Sequence, residues 1–144
     1  MDSLLARARA VLASQPFSIM MGAELIAFSE DEVEIRLPVS DKIKQQYGFV
    51  HGGVISYLAD NALTFAGGAA LMGKGQIVTS EMKINYIRPA HGEYLIARAR
   101  RVSAGRTQSV ARCEVYAMKD GEEKICAAAQ GTITAAAPRA AQAR

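Results

Sequence analysis

At 144 residues with a formal net charge of +3, the chain has room for one domain with a real core and too little for two of ordinary size. Its basic residues are scattered through apparent strands and turns instead of forming a tract, which argues against a nucleic-acid surface and leaves small anionic ligands open. The two cysteines, Cys113 and Cys126, have no CxxC spacing and no secretory context, so they read as buried, reduced thiols and not as a disulfide or metal pair.

The N-terminal "MDSLLARARAVLASQPF" places Asp2 before its apolar run and Arg7 and Arg9 inside it, which excludes an export signal and predicts a cytoplasmic protein. An amphipathic helix is expected over about 1–15, ending before Pro16. "GAELIAFS" and "DEVEIRLPVS" follow; the second alternates Val33, Ile35, Leu37 and Val39 against Glu32, Glu34 and Arg36. That pattern is a half-buried strand, paired with the first through a turn at Ser29 to Asp31.

Past the long central segment, "IVTSEMKINYIRP" alternates through Met82, Ile84 and Tyr86 and stops at Pro89. The turn signals "SAGR" and "KDGEE" then divide the remainder into three strands. "ICAAAQ" has helical composition, but its flanking turn and the following "GTIT" favour strand. The order is helix, two strands, helix, four strands, and the expected class is α+β, an antiparallel sheet wrapped around one long helix. No repeat and no linker interrupts the chain, so a single domain spanning 1–144 is expected, with "AAAPRAAQAR" fraying from about 136 to 144.

The central segment, "GFVHGGVISYLADNALTFAGG", carries the chemistry. Val54, Ile55, Tyr57, Leu58, Ala59, Ala62, Leu63, Phe65, Ala66, Ala69 and Leu71 cover nearly the whole helix circumference, which is the pattern of a buried helix. Its polar residues and bounding glycines exclude a membrane span. Ser56, Asp60 and Thr64 recur four apart and form one stripe. A carboxylate taken out of water costs several kcal/mol unless it is paired, neutralised or facing a wet cleft, and no Lys or Arg lies within a turn of Asp60 on this helix. The stripe therefore lines a pocket. At the helix start, Gly52 and Gly53 supply unpaired N–H groups, an open approach and the positive end of the dipole, which suits an oxygen gaining negative charge. Two glycines there also fit an ordinary turn, and His51 fits a structural histidine.

These residues, with Gln45 before them and "NYIRPA" after, resemble the hotdog-fold acyl-CoA thioesterases, in particular the phenylacetic-acid-degradation (PaaI-like) branch. The likeness runs from Phe17 to Ile133, and the spacing from "HGG" to "LAD" is its specific part. What the resemblance implies is a sheet wrapped on a central helix, two chains joined edge to edge, dimers pairing into a homotetramer, and no cofactor or metal. Position by position it puts the catalytic carboxylate on Asp60, the carbonyl-polarising amide on Gly52, the preceding polar residue on Gln45 (Gln46 as the alternative) and a helping hydroxyl on Thr64. His51, Gly53, Ser56 and Asn61 then line the substrate site. Arg88 and Arg106 become candidates for the coenzyme A phosphates, each equally readable as a solvated surface charge.

Thioester hydrolysis needs an activated nucleophile and a stabilised oxyanion, with no obligatory serine, cysteine or metal. "GxSxG" is absent, and His51 and His91 are too few for a triad or a metal hydrolase. The expected activity is hydrolysis of an aryl- or medium-chain acyl-CoA to free acid and CoA, with no nucleic-acid or membrane partner. Two alternatives stay open: a hotdog dehydratase or hydratase, whose usual "HFPG"-type signature is missing, and a non-catalytic acyl-CoA binder. Because Gly52 and Asp60 are eight positions apart on one helix, about 12 Å along its axis, a composite site shared across a homodimer is expected.

Overall fold

The computed structural model describes residues 3–137. Helix α1 (Leu4–Ala13) is capped by Ser3, whose hydroxyl oxygen accepts from the Ala6 N–H at 3.1 Å, and it buries Ala8 and Leu12. Pro16 both ends that helix and opens a second, α2 (Pro16–Met21), which closes at Gly22 with φ 73°. This second helix is an element that the sequence reading does not anticipate: at six residues it is too short to show a period.

Strands β1 (Glu24–Phe28) and β2 (Glu32–Pro38) pair antiparallel across the Ser29–Asp31 turn. Val33, Ile35 and Leu37 are buried, as the alternation requires. Helix α3 (Gly52–Gly68) follows, and then strands β3 (Gln76–Tyr86), β4 (Tyr94–Ala104), β5 (Gln108–Lys119) and β6 (Glu122–Ala136). The six strands form one antiparallel sheet in the order β1-β2-β4-β5-β6-β3. "ICAAAQ" is strand, within β6. That strand runs through Ala136; from 138 onward the expected tail lies outside the described residues.

The sheet curls around α3, which packs on β4, β5 and β6. Leu58, Ala59, Ala62, Leu63 and Ala66 are fully buried against Ile35, Leu95, Val115 and Ile133. Each buried leucine stabilises by roughly 1.5–3 kcal/mol relative to exposure. Near the helix end, a Cβ on Gly67 would come within 2.6 Å of Ile133, so the missing side chain is what lets α3 settle onto β6.

One expectation needs correction. An all-round apolar helix predicts burial of its apolar positions, yet Val54, Tyr57 and Phe65 keep partial exposure, beside the Ser56, Asp60 and Thr64 stripe that is expected to line a pocket. The sheet covers one side of α3 and the N-terminal helices part of another. An open strip remains, and it faces the β3 side of the molecule.

Candidate active site

The start of α3 is held from two directions. The His51 N–H donates to the Ile43 carbonyl at 2.9 Å, tying the helix to the short 3-10 turn Asp41–Ile43. The His51 side chain caps the helix, with Nδ1 accepting from the Gly53 N–H at 2.8 Å. Nδ1 is therefore unprotonated, and in the neutral ring Nε2 carries the proton. With the Gly53 amide occupied, the Gly52 N–H finds no acceptor among the described residues. The Gly52 carbonyl accepts from the Tyr86 hydroxyl at 3.1 Å, which anchors the helix start to the end of β3.

Asp60 sits two turns along, half-buried on the open strip. Its Oδ1 accepts from the Thr79 hydroxyl of β3 at 2.7 Å. Thr64 donates to the Asp60 main-chain carbonyl at 2.8 Å and lies 3.0 Å from Thr79 Oγ1. The three side chains form one polar knot between α3 and β3. Thr79 is the residue that sequence reasoning missed. A register shift between Thr79 and Glu81 changes the phase of β3, so Ile77 and Thr79 face inward before it, and Met82 and Ile84 after it.

The other expected residues are placed unequally. Ser56 lies on the open strip between Gly52 and Asp60. Gln45 is folded into the turn before the helix, where its N–H donates to Phe49 O at 2.9 Å and its side-chain oxygen accepts from the Tyr47 N–H; Gln46 is exposed in the same turn. Asn61 is buried, and its amide is engaged elsewhere, donating to Gln15 Oε1 at 3.0 Å, Ser18 Oγ at 3.2 Å and the Tyr57 hydroxyl at 3.2 Å. That network fastens α2 to α3.

Arg88 lines a shallow hollow with Gly52 and Tyr86, and a second with His91, Lys119 and Lys124. Arg106 is exposed in the β4–β5 turn, where the neighbouring Thr107 carbonyl accepts from Ala135 N–H; Gln76, at the start of β3, pairs with Ala136. Within one chain, then, Arg88 and Arg106 lie towards opposite ends of β3.

The family model described as Thioesterase superfamily matches residues 47–124, more than half of the chain. The chain belongs to the thioesterase superfamily. A crystal structure of a thioesterase family protein from Silicibacter pomeroyi is 34% identical, with a TM-score of 0.82, over 89% of this chain and 94% of that one. The 1,4-dihydroxy-2-naphthoyl-CoA hydrolase of Escherichia coli K12 is 25% identical over 72% of this chain and 74% of its own. The PaaI protein from the phenylacetic acid degradation operon of E. coli superposes with a TM-score of 0.77 over 90% of both chains; at 24% identity that likeness carries the fold alone. The thioesterase is therefore a thioester hydrolase with the hotdog fold, the sheet being the wrap and α3 the filling. No helix among its described residues is long and apolar enough to cross a membrane.

Proposed function

We propose that this thioesterase hydrolyses an aryl- or medium-chain acyl-CoA to the free acid and CoA, in sites shared between two subunits. The observation that carries the reading is the pair of unlike groups on α3: a carboxylate that accepts from Thr79, and, at the positive end of the helix, an amide with no acceptor among the described residues. The Gly52 N–H would donate to the developing oxyanion of the thioester carbonyl. Asp60 acts on the other side of that carbon, as nucleophile or as the base that takes a proton from water. The C–S bond breaks, and the CoA thiolate takes up a proton that the consumed water gives up. The water oxygen ends in the free acid, directly in the base route or by hydrolysis of an acyl–Asp60 anhydride in the nucleophile route.

Gly52 and Asp60 of one helix are about 12 Å apart along the axis, whereas reacting groups need to approach within about 3–3.5 Å. Strand β3 supports a two-chain solution. It is an eleven-residue edge strand, with Val78, Tyr86 and Ile87 exposed near its ends, and a long open edge invites pairing. Two-fold pairing of this edge with its copy inverts one strand relative to the other. Gly52 is fixed at the end of β3 through Tyr86, and Asp60 near its beginning through Thr79. Inversion brings the partner subunit's Asp60 toward this chain's Gly52, and the partner subunit's Arg106 toward this chain's Arg88. Two arginines then converge where the CoA phosphates would lie. Further pairing of dimers into a tetramer belongs to the same reading, as does a cytoplasmic setting where CoA esters are available.

The test is thiol release from a panel of acyl-CoAs by the wild type and by Asp60→Asn. The variant keeps the shape and loses the charge, so kcat should fall by on the order of a hundredfold or more while the fold persists. Near-normal turnover in a variant of unchanged thermal stability would remove Asp60 from the mechanism.

A further inference from the structure

Beyond Thr64, the open side of α3 leads into a hollow of about 250 Å³ between α1 and the C-terminal half of α3. Ala8 and Val11 of α1 form one wall, and Phe65, Met72 and Ile77 form the other. Phe28 closes it from the end of β1, meeting Phe65 edge to face at 6.0 Å. Of the polar residues on its border, Gln15, Asn61 and Thr64 are already engaged, while Arg7 is exposed. Gln15 Oε1 accepts from Ser18 at 2.6 Å and from Asn61 at 3.0 Å, while the Thr64 hydroxyl donates to the Asp60 carbonyl at 2.8 Å. A group entering this space meets mainly hydrocarbon, with Arg7 the one charged residue on its lining.

We propose that this hollow receives the acyl group of the substrate, and that the group is an unsubstituted hydrocarbon of up to roughly ten carbons. The size follows from volume: a cavity of about 150 Å³ holds benzene, and scaling to this one by carbon count gives about ten. The location follows from Thr64, which lines the hollow and belongs to the hydrogen-bonded knot around Asp60. A thioester carbon at Asp60 therefore has the hollow as its next space along the helix. The chemistry follows from the engaged border. A hydroxyl on the acyl group would give up water and meet Gln15, Asn61 and Thr64 already paired, so hydroxylated acyl groups are disfavoured. The one charge that lines the hollow, Arg7, is exposed to water. This assignment rests on Asp60 being the catalytic carboxylate.

The experiment uses the full chain, a straight-chain series from butyryl-CoA to palmitoyl-CoA, and the uncleavable thioether S-decyl-CoA as a binding probe. Val11→Trp and Ala69→Phe place bulk in the hollow from opposite walls, at positions that are exposed and half-buried. Displacing about two methylenes, at roughly fourfold each, should lower kcat/KM for decanoyl-CoA about fifteenfold. Affinity for the thioether should fall in parallel, with butyryl-CoA turnover unchanged. Met72→Ala, at the exposed rim, removes a wall and should shift the optimum toward dodecanoyl-CoA. Folded variants that keep wild-type chain-length preference and wild-type thioether affinity would overturn the pocket, whatever their turnover. If the wild type hydrolyses no acyl-CoA yet binds the thioether, and Val11→Trp or Ala69→Phe weakens that binding, the pocket stands and the hydrolytic reading falls.

Discussion

Thr79→Val is the most informative single change outside the residues that the resemblance implicates. It keeps the β-branched shape suited to a strand and deletes the hydroxyl that donates to Asp60 Oδ1 at 2.7 Å. Hydrogen bonds to charged groups are worth about 1.5–3 kcal/mol. Asp60 is only half-buried, so water can replace part of the loss, and the lower end applies. If Thr79 holds the carboxylate in its reactive orientation, kcat should drop about tenfold, the equivalent of ~1.4 kcal/mol. KM should move little, because the hydroxyl orients the carboxylate and does not bind CoA. The assay is thiol release at saturating acyl-CoA, alongside thermal unfolding, where Tm should stay within about 4 °C of wild type. Thr79→Ser restores the donor and should restore turnover. Wild-type kcat in Thr79→Val, or equal damage in the serine variant, would show that this hydroxyl does not position Asp60.

Co-expression of Asp60→Ala with Gly52→Pro tests the shared site, since their mixed dimer holds one doubly damaged site and one intact site; random assortment should return about a quarter of wild-type activity. Proline fits there because Gly52 opens the helix, His51 is extended at ψ 135°, and a Cβ meets nothing nearer than Tyr86 at 3.4 Å; a purified heterodimer as inactive as its parents would refute shared sites. Arg106→Ala should raise KM for acyl-CoA more than for a pantetheine thioester, and equal effects on both would show that the guanidinium misses the phosphates. Burial pushes the Cys113 thiol up to about 12 and the Cys126 thiol up to about 11, so both stay protonated in mildly alkaline buffer. A thiol reagent should label neither in the folded protein and both in denaturant, and rapid stoichiometric labelling of the native chain would contradict that burial.

The fold was legible wherever its cause was local. Alternation in β2 and the turn chemistry of "SAGR" and "KDGEE" depend on neighbours a few residues apart, and the sheet follows them. What the residues did not reveal is non-local. Strand β3 closes the sheet against β6, the last strand, and no short-range pattern encodes that pairing. Asn61 reads as one more polar residue on the helix, but its partners Gln15 and Ser18 lie 46 and 43 positions upstream. Helix α2, which supplies Ser18, is too short to announce itself.

The candidate site divides along the same line. Ser56, Asp60 and Thr64 are visible because helical spacing alone stacks them, and a carboxylate on an apolar helix stands out by its desolvation cost. Thr79 stays hidden because an extra residue in β3 decides which side chains face inward. Read with strict alternation back from Met82, the strand would turn Ser80 inward and Thr79 away. The register shift between Thr79 and Glu81 reverses that assignment and delivers a hydroxyl to Asp60. Bulges occur where a strand must re-aim a side chain, and here the re-aimed side chain meets the one carboxylate on α3. Pairing the same residues in regular register, without the shift, would turn Thr79 to the outer face and leave Asp60 without its bond from β3. The irregularity in the strand is therefore tied to the carboxylate, and the two are best understood as one feature of the site.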